Sequence, residues 1–533
     1  MIKRIISIIL LNILFLTNLY SNTLQENIKP LTKSSFKTKQ KVIENIVENN
    51  TDDKNLIYLL NTMLKGDLYF TKYKKQFVKL IKKDGKIYHT KDIFTKETLE
   101  PQKRNMFKKV KTNNKIRGII RSKLAELNLF SDDKKTRLKS AKNILKNISE
   151  SSTPLIKKAL ISEKETSIRD VLVESYTILQ ARFGTDKEKI KAITELGDYL
   201  SPQALQALIE IKSNSKDENI INLVSISIES IESSKSFYGV IETLFFGLSQ
   251  GSVLLLAALG LAITFGVMKV INMAHGEMMM IGAYTTFTLQ QVMPAFIEYS
   301  IIIAIPLAFL VSAMVGVTIE RLVIRHLYGR PLETLLATFG ISLILQQIVR
   351  TVYSPLNQEV KTPEWMSGAW EINSALSITF NRLYIVIFSI LVFISVLLLL
   401  KKTSLGLKVR AVTQNREMAQ AMGIKTGFID AMTFGIGSGI AGVAGVALSQ
   451  LTNVGPNLGQ AYIVDSFMVV VFGGVGNLWG TLIAAMSLGE INKIIEPLAG
   501  AVLAKVIILV FIILFIQKRP RGLFPQKGRD AQD

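Results

Sequence analysis

The sequence predicts an all-α fold: a polytopic transmembrane helical bundle of about seven to nine spans, preceded by an exported helical domain. Three observations carry this prediction. The 533-residue chain is 48% hydrophobic yet 20% charged, too apolar for an ordinary soluble protein and too charged for a membrane bundle alone. Its charge is unevenly spread: residues 1–235 hold 44 Lys+Arg against 27 Asp+Glu, and residues 236–533 hold 20 against 15. From Phe237 onward, apolar segments recur at lengths near the roughly 20 residues that a bilayer requires.

Residues 1–21 read as a secretory signal. Lys3 and Arg4 precede an apolar run from Ile5 to Leu19, and the small Ser21 stands before a polar segment. An uncleaved N-terminal anchor is the alternative, and either one exports the adjoining domain. Residues 22–235 form that expected periplasmic domain. Pro and Gly are sparse there, and apolar residues return at helical spacing, as with Leu138, Ala141, Ile144 and Leu145. Similar units at 168–179, 190–200 and 220–231 suggest either a HEAT-like solenoid or a plain helical bundle.

Residues 236–533 form the expected membrane domain. Apolar segments lie near 243–268, 275–293, 299–319, 333–350, 382–400, 429–451, 462–475, 480–495 and 499–517. A backbone in lipid must satisfy its own hydrogen bonds, so these are expected to be helices. Three basic stretches, Arg321–Arg330, Lys401–Lys425 and Lys518–Arg529, belong in the cytoplasm by the positive-inside rule. The less basic stretch 351–381, with Trp365 and Trp370, suits the opposite interface. An outside N-terminus then requires an odd number of spans: nine, or seven if 462–495 is re-entrant.

Composition also excludes function classes. There is no cysteine, so disulfides, thiolate metal sites and a Cys nucleophile are ruled out. His89, His275 and His326 are too scattered for a metal site. The lysine excess reads as a solvated surface rather than a nucleic-acid footprint. No Gly-x-x-x-x-Gly-Lys-Ser/Thr phosphate cradle, Ser-His-Asp set or His-Glu-x-x-His motif occurs. No catalytic residue, metal or cofactor is therefore expected.

Four motifs remain. In Asn272-Met-Ala-His-Gly-Glu277, ionisable groups adjoin an apolar segment, where they line a solute path or cap a helix at the interface. Gly437-Ser-Gly-Ile-Ala-Gly442 matches a dinucleotide fingerprint by letter, but it sits in an uncharged run from Ala431 to Val464 and reads as close helix packing. Phe472-Gly-Gly-Val-Gly-Asn-Leu-Trp-Gly480 suggests a broken helix that offers backbone groups to a solute, or tight packing alone. Asp465, shortly before it, fits an interface position. Finally, the amphipathic stretch 406–423 reads as a helix held between two spans, bracketed by Gly406 and Gly423 and kept slim by Ala411, Ala419 and Ala421, with Arg410 and Arg416 free to meet acidic groups on a partner. A solvated connector is the alternative.

Together, Ile271–Glu277, 405–425, Gly473-Gly-Val-Gly476 and Arg519-Pro-Arg-Gly-Leu-Phe-Pro525 resemble the permease family of branched-chain amino acid ABC importers over roughly 240–525. Within it, Gly329–Ser342 and Gly459–Phe467 are most similar to the urea transporter permease, and an exported N-terminal extension fits that subgroup. The resemblance implies inner-membrane import of urea or a similar small solute, or of branched-chain amino acids. It also implies a second permease subunit, two cytoplasmic ATP-binding subunits and a periplasmic solute-binding protein, with 405–425 as the segment contacting an ATPase. An ATPase-independent channel or secondary transporter is the competing class. The expected solute path comprises Asn272, His275, Glu277, Glu333, Gly473, Gly474 and Gly476.

Overall fold

The computed structural model describes residues 24–33, 35–50 and 53–525. The expected signal segment, 1–21, lies outside them. The chain divides into two compact units at Ser234/Lys235.

The first unit is not all-α. After helices Phe36–Asn49 and Lys54–Lys65, the chain builds a five-stranded antiparallel sheet of β1 (Leu68–Thr71), β2 (Phe77–Asp84), β3 (Ile87–Asp92), β4 (Gln102–Lys103) and β5 (Phe107–Lys109), ordered β4-β3-β2-β1-β5. Two residues, Gly85 and Lys86, join β2 to β3, and Gly85 adopts φ +57°, which a side chain resists. Asp-Gly between such strands is a strong hairpin signal. It is obscured here because only the first half of β2 is buried (Phe77, Val78, Leu80), while Lys82, Lys83 and Asp84 face water. Leu56, Leu59, Leu60 and Met63 of the second helix share a core with Leu68, Phe77, Ile93 and Ile116.

Helices then occur at Asn114–Asn128, Lys134–Lys146, Thr153–Ser162, Thr166–Phe183, Asp186–Leu196 and Pro202–Asn214. Several of their starts are set by side-chain caps: Asn113 accepts from the amide of Ile116 at 2.9 Å, Ser201 from that of Ala204 at 3.0 Å, and Thr185 with Glu188 forms a capping box. Ala141, Ile144 and Leu145 face inward, with Leu138 partly covered. Helix Thr166–Phe183 packs against the two helices before it and the two after it.

The helix Glu218–Met268 runs for 51 residues, its first part in the first unit and the rest in the second. Among the described residues, six helices are long and apolar enough to cross a membrane, fewer than the seven to nine expected: Glu218–Met268, Pro294–His326, Pro331–Tyr353, Phe380–Lys402, Thr426–Ser449 and Ala501–Lys518. Helices also stand at the three remaining expected positions. Leu458–Gly473 is apolar but short, and His275–Val292 and Leu478–Ala499 are interrupted by polar and small residues. A two-stranded hairpin, Ala369–Glu371 with Ser377–Thr379, precedes helix Phe380–Lys402.

Helix Thr426–Ser449 lies at the centre of this unit, against Ile297–Leu322 and His275–Val292. Its glycines permit backbone-to-backbone approach. A Cβ at Gly445 would collide with the carbonyl of Met279, and one at Gly282 with that of Gly442. Gly437–Gly442 thus lies inside a helix as a packing surface, with no preceding strand.

Candidate solute path and connecting segment

The first site is assembled around the N-terminus of helix His275–Val292. Asn272 is buried and accepts from the amide of Ala274 at 3.0 Å, turning the chain into the helix. The His275 ring is wholly buried, and its Nε2 lies 3.1 Å from the Ala257 carbonyl. Glu277 Oε1 accepts from Ser342 Oγ at 2.9 Å and from Gln346 Nε2 at 2.8 Å. Gln460 Nε2 reaches the same Ser342 hydroxyl at 3.3 Å. The second Glu277 oxygen is buried without a partner. Three helices meet in this network, and the His275 contact ties the first of them to helix Glu218–Met268.

Ser342, Gln346 and Gln460 were not among the expected site residues. A signal for two of them exists in helix Pro331–Tyr353, where Thr334, Thr338, Ser342 and Gln346 recur every fourth residue and are all buried. Leu332, Leu336, Leu343 and Ile344 on the same helix are exposed, as lipid-facing residues would be. A polar stripe of that period in an apolar helix marks the inward face.

Other expected members stand elsewhere. Glu333 lies in the first turn of the same helix, more than half exposed, and pairs with Arg330 at 3.1 Å. It does not join the Glu277 network. At the start of the Gly473–Gly480 turn the carbonyls are already engaged: those of Phe472 and Gly473 accept from the amides of Leu523 and Phe524 at 2.9 and 3.2 Å, and that of Gly474 from the amide of Asn477 at 3.1 Å. Gly474 and Gly476 take φ +101° and +78°, and a Cβ at Gly474 would strike the backbone of Phe524. The segment Arg519–Pro525 therefore closes this turn as tight packing. Asp465 is buried against Lys505 at 3.0 Å.

The segment 404–425 is two helices, Ser404–Gln414 and Arg416–Ala421, rather than one. They break at Asn415, whose side chain caps the second by accepting from the amide of Met418 at 2.9 Å. Gly406 lies inside the first helix, against the backbone of Leu400, and does not bracket the segment. Gly423 does end it, at φ +84°, with Ile424 returning to the Ala419 carbonyl at 3.0 Å. Ala419 packs inward with Val409, Val412 and Ile429. Arg410, Ala421 and Gly423 are exposed, and Ala411 partly so.

Arg416 does not face outward. It forms a two-pronged pair with the fully buried Asp430 and stacks 4.5 Å over the Tyr328 ring. Burial works to lower the Arg416 pKa, but its bonds to Asp430 outweigh this and hold it above the ordinary value. Burial, followed by the neighbouring Asp430 charge, raises the Tyr328 pKa. The pair pins the second short helix to the start of helix Thr426–Ser449. The outward face instead carries Leu407, Met418, Met422 and Phe428, each more than half exposed. A cavity of about 880 Å³ adjoins the segment, between Arg410, Thr413 and Gln414 on one side and Asn477, Trp479 and Phe524 on the other. Among the described residues, no cluster of His, Asp and Glu is arranged to hold a metal.

The sequence of this unit is also similar to known proteins. The family model described as branched-chain amino acid transport system / permease component matches residues 243–516. The permease protein LivH of Salmonella typhimurium is 30% identical over 300 residues, covering 54% of this chain and 97% of that protein. BraD of Pseudomonas aeruginosa is 29% identical over 296 residues, covering 54% and 96%. A probable LivH of Methanocaldococcus jannaschii is 29% identical over 286 residues, covering 51% and 88%. No solved structure matches. The chain belongs to the permease-component family of branched-chain amino acid transport systems.

Proposed function

We propose that this chain is the membrane permease subunit of an ABC importer carrying branched-chain amino acids inward, driven by partner ATPases. For the drive, the supporting observation is segment 404–423: a broken helix pinned by Arg416–Asp430, with Leu407, Met418 and Met422 exposed on its outer face. An ATPase-independent channel has no need of a rigid, apolar-faced element on its basic side. For the solute, the relatives are named for branched-chain amino acids, so that alternative is better supported than urea.

In this reading the basic connections face the cytoplasm, where two ATP-binding subunits dock, and a second permease completes the path. The first unit lies in the periplasm, beside a solute-binding protein. Asn272, His275 and Glu277 remain in the proposed path, joined by Ser342, Gln346 and Gln460, while Glu333 and the Gly473–Gly476 turn leave it.

The test is uptake of labelled leucine, isoleucine, valine and urea in a host lacking its own carriers and supplied with the complete transporter. Saturable, ATP-dependent uptake of the three amino acids, with urea excluded, is expected. Urea uptake alone would restore the urea reading, and uptake without the ATPases would favour a channel.

A further inference from the structure

At the helix ends opposite the basic segment 401–425, the membrane unit holds a second polar cavity of about 270 Å³. It lies between the start of helix Phe380–Lys402, the end of Leu478–Ala499, the start of Ala501–Lys518 and the middle of Glu218–Met268. With the basic connections in the cytoplasm, this cavity belongs to the outer face. It is distinct from the Glu277 network, with which it shares no residue.

Its charges do not balance. Arg382, Lys493 and Lys505 face two carboxylates, Asp465 and Glu496. Lys505 holds Asp465 at 3.0 Å, and Lys493 holds Glu496. Among the described residues Arg382 has no carboxylate within salt-bridge distance; its guanidinium lies 4.6 Å over the face of Phe246. Stacking fixes the plane of that guanidinium and leaves its fork of donors unused, the geometry that takes a carboxylate through two parallel bonds. Two further groups on the wall are unsatisfied: the hydroxyl of Ser249, which is wholly buried, and the side-chain carbonyl of Gln250. Buried polar atoms are normally paired, so orphans on a cavity wall point to a ligand that pairs them. Val253, Leu451 and the Tyr462 ring supply apolar lining beside them.

We infer that this cavity is an entry site for a small amphoteric solute, with Arg382 receiving its carboxylate, the Gln250 carbonyl and Ser249 hydroxyl its ammonium, and the apolar wall its side chain. Resting on the import of amino acids proposed above, this makes Arg382 the residue that separates an α-amino acid from urea. Urea carries no anion and would leave the guanidinium unpaired.

The absence of cysteine makes a direct test available. Ala501→Cys places one thiol on the cavity wall, for labelling with a membrane-impermeant maleimide in right-side-out vesicles that carry the complete transporter, read on this chain alone. At L-leucine about four times its Kd, the free-site fraction falls to about one-fifth, so labelling slows about fivefold. Leucinamide, which lacks the carboxylate, and urea should not slow it. Arg382→Ala should remove the protection, and Arg382→Lys should restore part of it. Where Arg382→Ala does not insert, Arg382→Gln carries the same expectation.

Equal protection by leucinamide, or protection surviving in Arg382→Ala, overturns the site, as does labelling unaffected by leucine in vesicles that accumulate it. Protection by leucine in vesicles that do not accumulate any amino acid keeps the site and rejects the import reading. Neither protection nor accumulation rejects both.

Discussion

The two units of this chain are packed by different means. In the first, helices such as Thr166–Phe183 bury large side chains, Ile168, Leu172, Ile178 and Leu179, and several helices begin at a polar cap. In the second, the central helix Thr426–Ser449 approaches its neighbours through Gly437, Gly439, Gly442 and Gly445, so that backbones touch. The contrast arises from solvent. In water, removing apolar surface drives packing. In lipid the surroundings are as apolar as the side chains, so close contact and buried polar links hold helices together. The second unit accordingly leaves Leu332, Leu336 and Leu391 exposed while burying Thr338, Ser342, Glu277 and Asp430.

The strongest way to break this contrast is to add bulk where backbones meet. Gly445→Leu would drive a side chain into the Met279 carbonyl and the Ala283 amide. Overpacking of that kind costs about 3 kcal/mol or more where neither backbone can yield. Thermal unfolding of the purified chain in detergent should show a large loss in the membrane unit. Leucine at Gly427, where no atom lies near, should change little by comparison.

A smaller effect separates the two jobs proposed for the connecting segment, an internal clamp and a docking face for the ATPase. Arg416→Ala leaves Asp430 buried without its partner. Because the Arg416 side chain is 40% exposed, solvent screening reduces the cost below that of a fully buried pair, to about 2 kcal/mol. Uptake should fall while the ATPase still co-purifies, since the apolar outer face is intact. Met418→Asp with Met422→Asp should do the reverse, leaving stability unchanged and releasing the ATPase. If Arg416→Ala instead releases the ATPase, Arg416 acts at the interface and the internal clamp is wrong.

The smallest effect lies in the first unit, at Glu174. This carboxyl is buried and bonded to the Ser201 hydroxyl; burial raises its pKa above the ordinary 4.5, partly offset by that bond. The folded state therefore holds the proton more tightly than the unfolded chain. Stability is greatest below the ordinary value, declines as pH rises through it, and levels off above the raised folded value. Glu174→Gln keeps an acceptor for Ser201 and should raise the melting temperature of the first unit at neutral pH. The gain should vanish near pH 4, and a variant less stable than wild type at neutral pH would contradict this account.

How much of this was legible in the sequence depends on the range of the interaction. The apolar segments, the charge asymmetry and the polar neighbourhood of Asn272, His275 and Glu277 are local patterns, and helices stand where the periodicity put them. The β-sheet of residues 68–109 was hidden because lysines interrupt its alternation, although Asp84-Gly85 marked its hairpin. The break at Asn415 was also legible, since Asn is a strong helix cap.

What the sequence by itself determined is which residues are apolar, which are polar at membrane depth, and where glycine permits close approach. Only the tertiary structure decided partners. Glu277 finds Ser342 and Gln346 some 65 and 69 residues away, the Gly473 turn is closed by Phe524, and Arg416 turns inward to Asp430 rather than outward. The physical reason is that helical periodicity fixes the face on which a side chain stands, whereas a hydrogen bond or ion pair also requires knowing which other helix is packed against that face.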